Sequence, residues 1–266
     1  MDAIVCIKQI IDPEAPSDSF HLDPDSKRQV RGALPLVISA YDQNALEIAL
    51  KLRGKVGGKI TALTIGDNEA EAALRSAMAM GVDAGVLVRD AALAGSDCFA
   101  IAHVLAAAIR KIGIPGLVLT GCVSGDKGDK VMAPLVAEEL SLPCLNFVSR
   151  VEAQGSMICA RRILEDGYEI VDAPVPSVLG IISDETNTPR YAKAKDAMAA
   201  ARKPVPVFTL ADLGVDSAKV GPAACRVSIA DVGIPQRESR CELAAGETPE
   251  EQAAWLASRL RELKAI

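Results

Sequence analysis

Short apolar, β-branched runs at residues 3–7, 59–65, 85–88, 117–121 and 178–182 alternate with longer stretches at 44–55, 69–80, 98–112 and 130–140. In the longer stretches apolar residues recur at i, i+3 and i+4, with Ala, Leu and Glu filling the other positions, which predicts helices. The short runs lack a polar face and read as strands buried on both sides, the form strands take in a mostly parallel sheet built from βαβ units. The expected fold class is therefore α/β, a doubly wound, mostly parallel sheet.

From residue 146 to 171 the runs alternate apolar and polar positions, and Ala153-Gln154-Gly155-Ser156 and Glu165-Asp166-Gly167 separate them, which predicts antiparallel hairpins added to the sheet. Beyond Asp184 the chain turns polar and is marked by Pro189, Pro204, Pro206, Pro222 and Pro235. It ends in a strong helix start: Thr248 as cap, Pro249 at the first helical position and Glu251 three residues after the cap. Trp255, Leu256, Leu260 and Leu263 then form one apolar stripe, suited to a partner chain or to the chain's own domain. The expected organisation is an α/β domain over residues 1–203 and a C-terminal arm over 204–266.

Composition narrows the function classes. Half of the 266 residues are hydrophobic and 24% are charged, enough for a core and a solvated surface. A net charge of −6 gives no attraction to phosphate backbones or anionic lipid, and 3% aromatics supply no stacking platform, so nucleic acid is a poor partner. The seven cysteines are scattered without a C-x-x-C, and only His21 and His103 are available beside them. That disfavours a metal site and fits reduced thiols in the cytoplasm. The N-terminus lacks the apolar core of a signal peptide, and no run approaches a membrane span, so no membrane insertion is expected.

Ligands of open α/β sheets bind beyond the carboxyl ends of the strands. Those ends are Cys6-Ile7-Lys8, Ser39-Ala40-Tyr41, Ile65-Gly66-Asp67 and the loop from Gly121 to Lys130. The loop is rich in Gly and Ser and precedes a helix, so its amides suit an anion. It matches neither G-x-x-x-x-G-K-[ST] nor G-x-G-x-x-G; Lys127 and Lys130 favour a phosphate there, whereas Asp126 and Asp129 oppose it. His103, inside an Ala-rich helix, reads as structural; Cys6 and Cys122 read as small buried residues, and Arg161 and Arg162 as solvated hairpin rungs. With no nucleophile beside a base and no acid/base pair in view, the chain does not read as an autonomous catalyst.

Several runs carry a resemblance over nearly the whole length. They are Val5-Cys6-Ile7-Lys8-Gln9, Asp42-x-x-Ala45-Leu46-Glu47-x-Ala49-Leu50, Ala77-Met78-Ala79-Met80-Gly81-Val82-Asp83, Glu165-Asp166-Gly167, Pro176-Ser177-Val178, Pro189-Arg190-Tyr191 and Pro235-Gln236-Arg237. In this order they make the chain resemble the beta subunit of electron-transfer flavoprotein. The resemblance implies a Rossmann-like, adenine-nucleotide-binding fold, a heterodimer whose alpha subunit carries the redox FAD, and AMP or a second FAD in the beta subunit.

It also implies nucleotide contacts at Cys6, Ser39, Ala40, Tyr41, Asp42 and Ile65, and a phosphate surrounded by Ser124, Gly125, Asp126, Gly128 and Lys130. Where the family reads D-x-D-T-G-Q-V-G-P, this chain has Asp126-Lys127-Gly128-Asp129-Lys130-Val131-Met132-Ala133-Pro134, so Asp129 and Lys130 replace a hydroxyl and a glycine. Residues 188–201 resemble the loop that docks a dehydrogenase; its usual leucine is Ala194 here, leaving Met198 as the large apolar anchor in a loop that also carries Lys193 and Lys195. The expected function is an electron-transfer beta subunit passing electrons between a dehydrogenase or reductase and an acceptor. The competing class is a homodimeric, non-redox sensor of adenine nucleotides.

Overall fold

The computed structural model describes residues 1–23, 25, 27–234 and 241–266. The Pro235-Gln236-Arg237 run lies outside the described residues. Two compact units are present, Met1–Ala230 and Asp231–Ile266.

The first unit opens with β1 (Ala3–Cys6), followed by the short strands β2 (Gln9–Ile11), β3 (Leu22–Asp23), β4 (Arg28–Gln29) and β5 (Leu36–Ile38). Helix α1 (Ala40–Val56) leads to β6 (Ile60–Ile65), α2 (Glu71–Met80) to β7 (Ala84–Val88), and α3 (Cys98–Ile112) to β8 (Leu117–Gly121). After α4 (Met132–Leu140) come the meander β9 (Cys144–Gln154), β10 (Met157–Leu164) and β11 (Gly167–Pro174), and then β12 (Ser177–Ile181). The unit closes with α5 (Ala194–Ala200), β13 (Val207–Phe208) and α6 (Leu210–Leu213). Residues 204–230, which the sequence reading gave to the arm, thus lie within this unit, where β13 pairs with β7. The second unit holds α7 (Pro249–Glu262), capped by Thr248, whose hydroxyl accepts from the Glu251 amide while the Glu251 carboxylate accepts from the Thr248 amide.

The main sheet runs β11-β10-β9-β12-β8-β1-β6-β7-β13. Its centre is parallel, and β10 and β11 form the antiparallel addition. Alternation along each strand sorts side chains to two layers. Ala3, Val5, Ile60, Ala62, Leu117, Leu119, Leu179 and Ile181 face the layer that contains α1 and α2. Ile4, Cys6, Leu63, Val86, Val88, Val118 and Val178 face the layer of α3 and α4. The strands read as nearly unbroken apolar runs because both of their faces are covered.

Strand β1 is the pivot, with β6 parallel to it on one side and β8 on the other. Chain order reverses there, so the crevice at the carboxyl ends of β1 and β8 is the topological switch point. Strands β2 and β5 pair beside this end as a separate two-stranded sheet. Helix α4 starts at Met132 rather than at Lys130, which leaves Lys130 and Val131 in the switch-point loop.

Candidate functional site at the switch point

Asp42 organises the crevice. It lies in the first turn of α1, where the helix dipole favours an acid. Its buried carboxylate accepts the Lys8 amide through Oδ2 and the Gly121 amide through Oδ1, both at 2.8 Å. One side chain thereby ties the end of β1 to the end of β8. The approach is close enough to require glycine: a Cβ on Gly121 would stand 2.6 Å from Asp42 Oδ1 and 2.7 Å from Tyr41 Cβ. Burial pushes the Asp42 carboxyl up to about 7, outweighing the two amides and the Lys8 ammonium, which all favour the charged form.

Ser39 caps α1 by position only. Its amide donates to the Lys8 carbonyl at 2.9 Å, but its buried hydroxyl has no protein partner among the described residues. The hydroxyl faces Gly125, where a Cβ would stand 3.2 Å from Ser39 Oγ and 2.8 Å from Ile10 Cδ1. The loop after β8 therefore presses its backbone against the start of α1. Lys8 Nζ reaches across to Asp126 at 2.7 Å and cancels one of the two carboxylates of that loop.

Part of the loop satisfies itself. The Ser124 amide donates to the Asp129 carbonyl, the Gly128 amide to the Ser124 carbonyl, and the Asp129 amide to Ser124 Oγ. The amides of Gly125, Asp126 and Lys127 have no protein partner among the described residues. Lys8, Lys127 and Lys130 set three cations against Asp126 and Asp129.

Of the residues expected at the site, the structure joins Ser39, Asp42, Gly125 and Asp126 by direct contact or through Lys8. Tyr41 abuts Gly121, and Ala40 is the exposed first residue of α1. Ser124 and Gly128 close the loop's inner turn, and Lys130 follows it. Ile65 stands half-buried at the end of the neighbouring strand β6. Cys6 faces the α3 and α4 layer; burial first, and then the Asp42 charge, push its thiol up to about 12. Burial likewise pushes the Cys122 thiol up to about 11, so both remain unreactive fillers near neutral pH. Lys8 was the functional residue missing from the expected set, although a cation immediately after a buried strand was its visible signal.

No helix among the described residues is long and apolar enough to cross a membrane. The electron transfer flavoprotein domain family matches residues 30–213. The electron transfer flavoprotein subunit beta of Thermoanaerobacterium thermosaccharolyticum is 36% identical over 251 residues, 94% of each chain. The subunit of the same name from Clostridium acetobutylicum is 32% identical over 262 residues, 98% of each chain. Protein FixA of Azorhizobium caulinodans is 36% identical over 223 residues, 81% of this chain and 78% of its own. By this coverage and identity, the chain belongs to the electron transfer flavoprotein family and has the role of an electron-transfer beta subunit.

Proposed function

We propose that the chain is the beta half of a heterodimeric carrier, that its alpha partner holds the redox FAD, and that the β1/β8 crevice of this chain holds an adenine nucleotide, AMP or FAD. The loop between β8 and α4 is the observation that carries the nucleotide claim. Three consecutive amides and the Ser39 hydroxyl beside them, all without a protein partner among the described residues, together with the lysines of the loop fit a phosphate better than they fit an ordinary turn. Asp129 is the one charge that opposes it, and Lys127 and Lys130 flank that charge in sequence.

The flavin supplies the redox chemistry when bound; this chain contributes binding, orientation and exclusion of water. Gly125, Asp126 and Lys127 offer amides to the phosphate, Lys130 offers a charge, and the starts of α1 and β2 wall the crevice. The half-buried Ile65 offers an apolar edge on the β6 side. Residues 188–201 are the docking segment for a dehydrogenase. Tyr191 is 98% exposed and Met198 65% exposed, two large side chains next to Lys193 and Lys195.

The test is to denature the purified heterodimer and separate the released nucleotides by chromatography. The expected result is AMP, ADP or FAD at close to one per beta chain, in addition to the alpha flavin. No such nucleotide, together with no heat on titration with AMP, would mean that the fold has outlived its ligand.

A further inference from the structure

Helix α1 does more than start the crevice. Asn44, Glu47 and Lys51, spaced i, i+3 and i+7, lie on one face of it. All three reach the same distant segment. Asn44 Nδ2 donates to the Asn187 carbonyl at 3.1 Å, and Lys51 Nζ donates to the Thr186 carbonyl. Between them Glu47 accepts a two-pronged ion pair from Arg190, Nε to Oε2 at 2.7 Å and Nη2 to Oε1 at 2.9 Å, as well as the Arg190 amide at 3.3 Å.

The Glu47 side chain is only 5% exposed, whereas that of Arg190 is 44% exposed. A buried carboxylate needs such a partner, because removing it would leave the charge uncompensated. Two parallel N–H···O bonds also fix the direction of the guanidinium plane, which a single ammonium contact would not. Immediately after Arg190 come the exposed Tyr191, Lys193 and the short helix α5. At the far end of that segment Arg75 Nη1 donates to the Ala200 and Lys203 carbonyls at 2.8 and 3.0 Å. Residues 191–199 therefore project from two anchored points.

We infer that Glu47 and Arg190 form the positioning pair for the docking segment, setting its exit angle from the same helix whose first turn builds the nucleotide crevice. This inference rests on the docking role given above to residues 188–201. The pair acts through the loop it holds.

The experiment uses the intact heterodimer carrying Glu47→Gln or Arg190→Lys. Hydrogen–deuterium exchange of residues 188–200 reads the loop, and steady-state kinetics with an acyl-CoA dehydrogenase that reduces the parent heterodimer read docking. In Glu47→Gln, exchange across 188–200 is expected to quicken about tenfold. The KM for the heterodimer is expected to rise about tenfold with kcat within about twofold of the parent and flavin content unchanged. Arg190→Lys, which keeps the charge but not the fork, should show a smaller rise in both; it alone carries the test if Glu47→Gln does not assemble. Unchanged exchange in the variants overturns the clamp whatever the kinetics show. Faster exchange with an unmoved KM instead removes the docking role of the segment, and with it the functional meaning of the pair.

Discussion

Asp42 shows how a single residue serves both fold and site. Its carboxyl titrates near 7 in the folded chain, against about 3.9 when unfolded, so the folded state binds the proton more tightly. Its contribution to stability is thus complete below pH ~4 and is lost as pH rises through about 7, a swing of at most about 4 kcal/mol. Asp42→Asn removes that titration but meets one of the two amide donors with an N–H of its own. The variant should therefore melt well below the parent at pH 5, and the gap should narrow by pH 8. Parallel melting profiles across that range would contradict this account. Gly121→Ala tests the same contact sterically: its methyl would collide with Asp42 Oδ1 and Tyr41 Cβ. It should cost about 1–3 kcal/mol in denaturant unfolding. Bound nucleotide should fall with it, and a variant of parental stability would show that the crevice yields more easily than its packing implies.

At the scale of elements, the docking segment is a short helix held at both ends, with Lys193 at its cap, Lys195 in its first turn and Met198 exposed. In the docking role proposed for it, charge and the exposed Tyr191 and Met198 side chains would carry recognition. Lys193→Glu combined with Lys195→Glu should slow electron transfer from an acyl-CoA dehydrogenase several-fold at low salt, with the deficit shrinking as ionic strength rises. Indifference to both the substitution and salt would end the electrostatic part of this argument. The central strands and α1 to α4 were legible in sequence because both signals, buried runs and helical periodicity, are local. Strands β2 and β5 were not, since each is three residues long and finds its partner only across the crevice. Helix α5 was hidden by its seven-residue length, too short to show a helical period. Glu47 sits in an Ala- and Leu-rich helix where a carboxylate ordinarily marks the solvated face; it is buried because Arg190, 143 residues later, folds over it. Asp42 likewise meets its partner from far along the chain, the Gly121 amide 79 residues away, and burial raises its titration. Topology placed the crevice at the right strand ends, but the partners inside it are long-range and leave no local pattern.

At the scale of the whole molecule, the division at residues 230 and 231 separates a sheet with two covered faces from a unit whose described residues hold one helix, α7. Within that second unit, α7 is tied by Arg259 to Glu242 at 2.7 and 2.8 Å and to Glu262 at 3.0 Å. Leu256 and Leu263 nevertheless stay 49% and 61% exposed. A capped helix with two exposed leucines on one side suits completion by another surface, and we propose that the alpha subunit supplies it. Full burial of each leucine is worth about 1.5–3 kcal/mol before ordering costs, so the stripe alone can shift assembly by orders of magnitude. Truncation after Ala230 should leave the melting transition of the first unit close to that of the full chain and abolish co-elution with the alpha subunit on a sizing column. Leu256→Glu with Leu263→Glu should weaken that association without removing any backbone, because a carboxylate cannot be buried unpaired in an apolar contact. If the truncated chain still co-elutes with its partner at micromolar concentration, the heterodimer is held by the first unit, and α7 has another purpose.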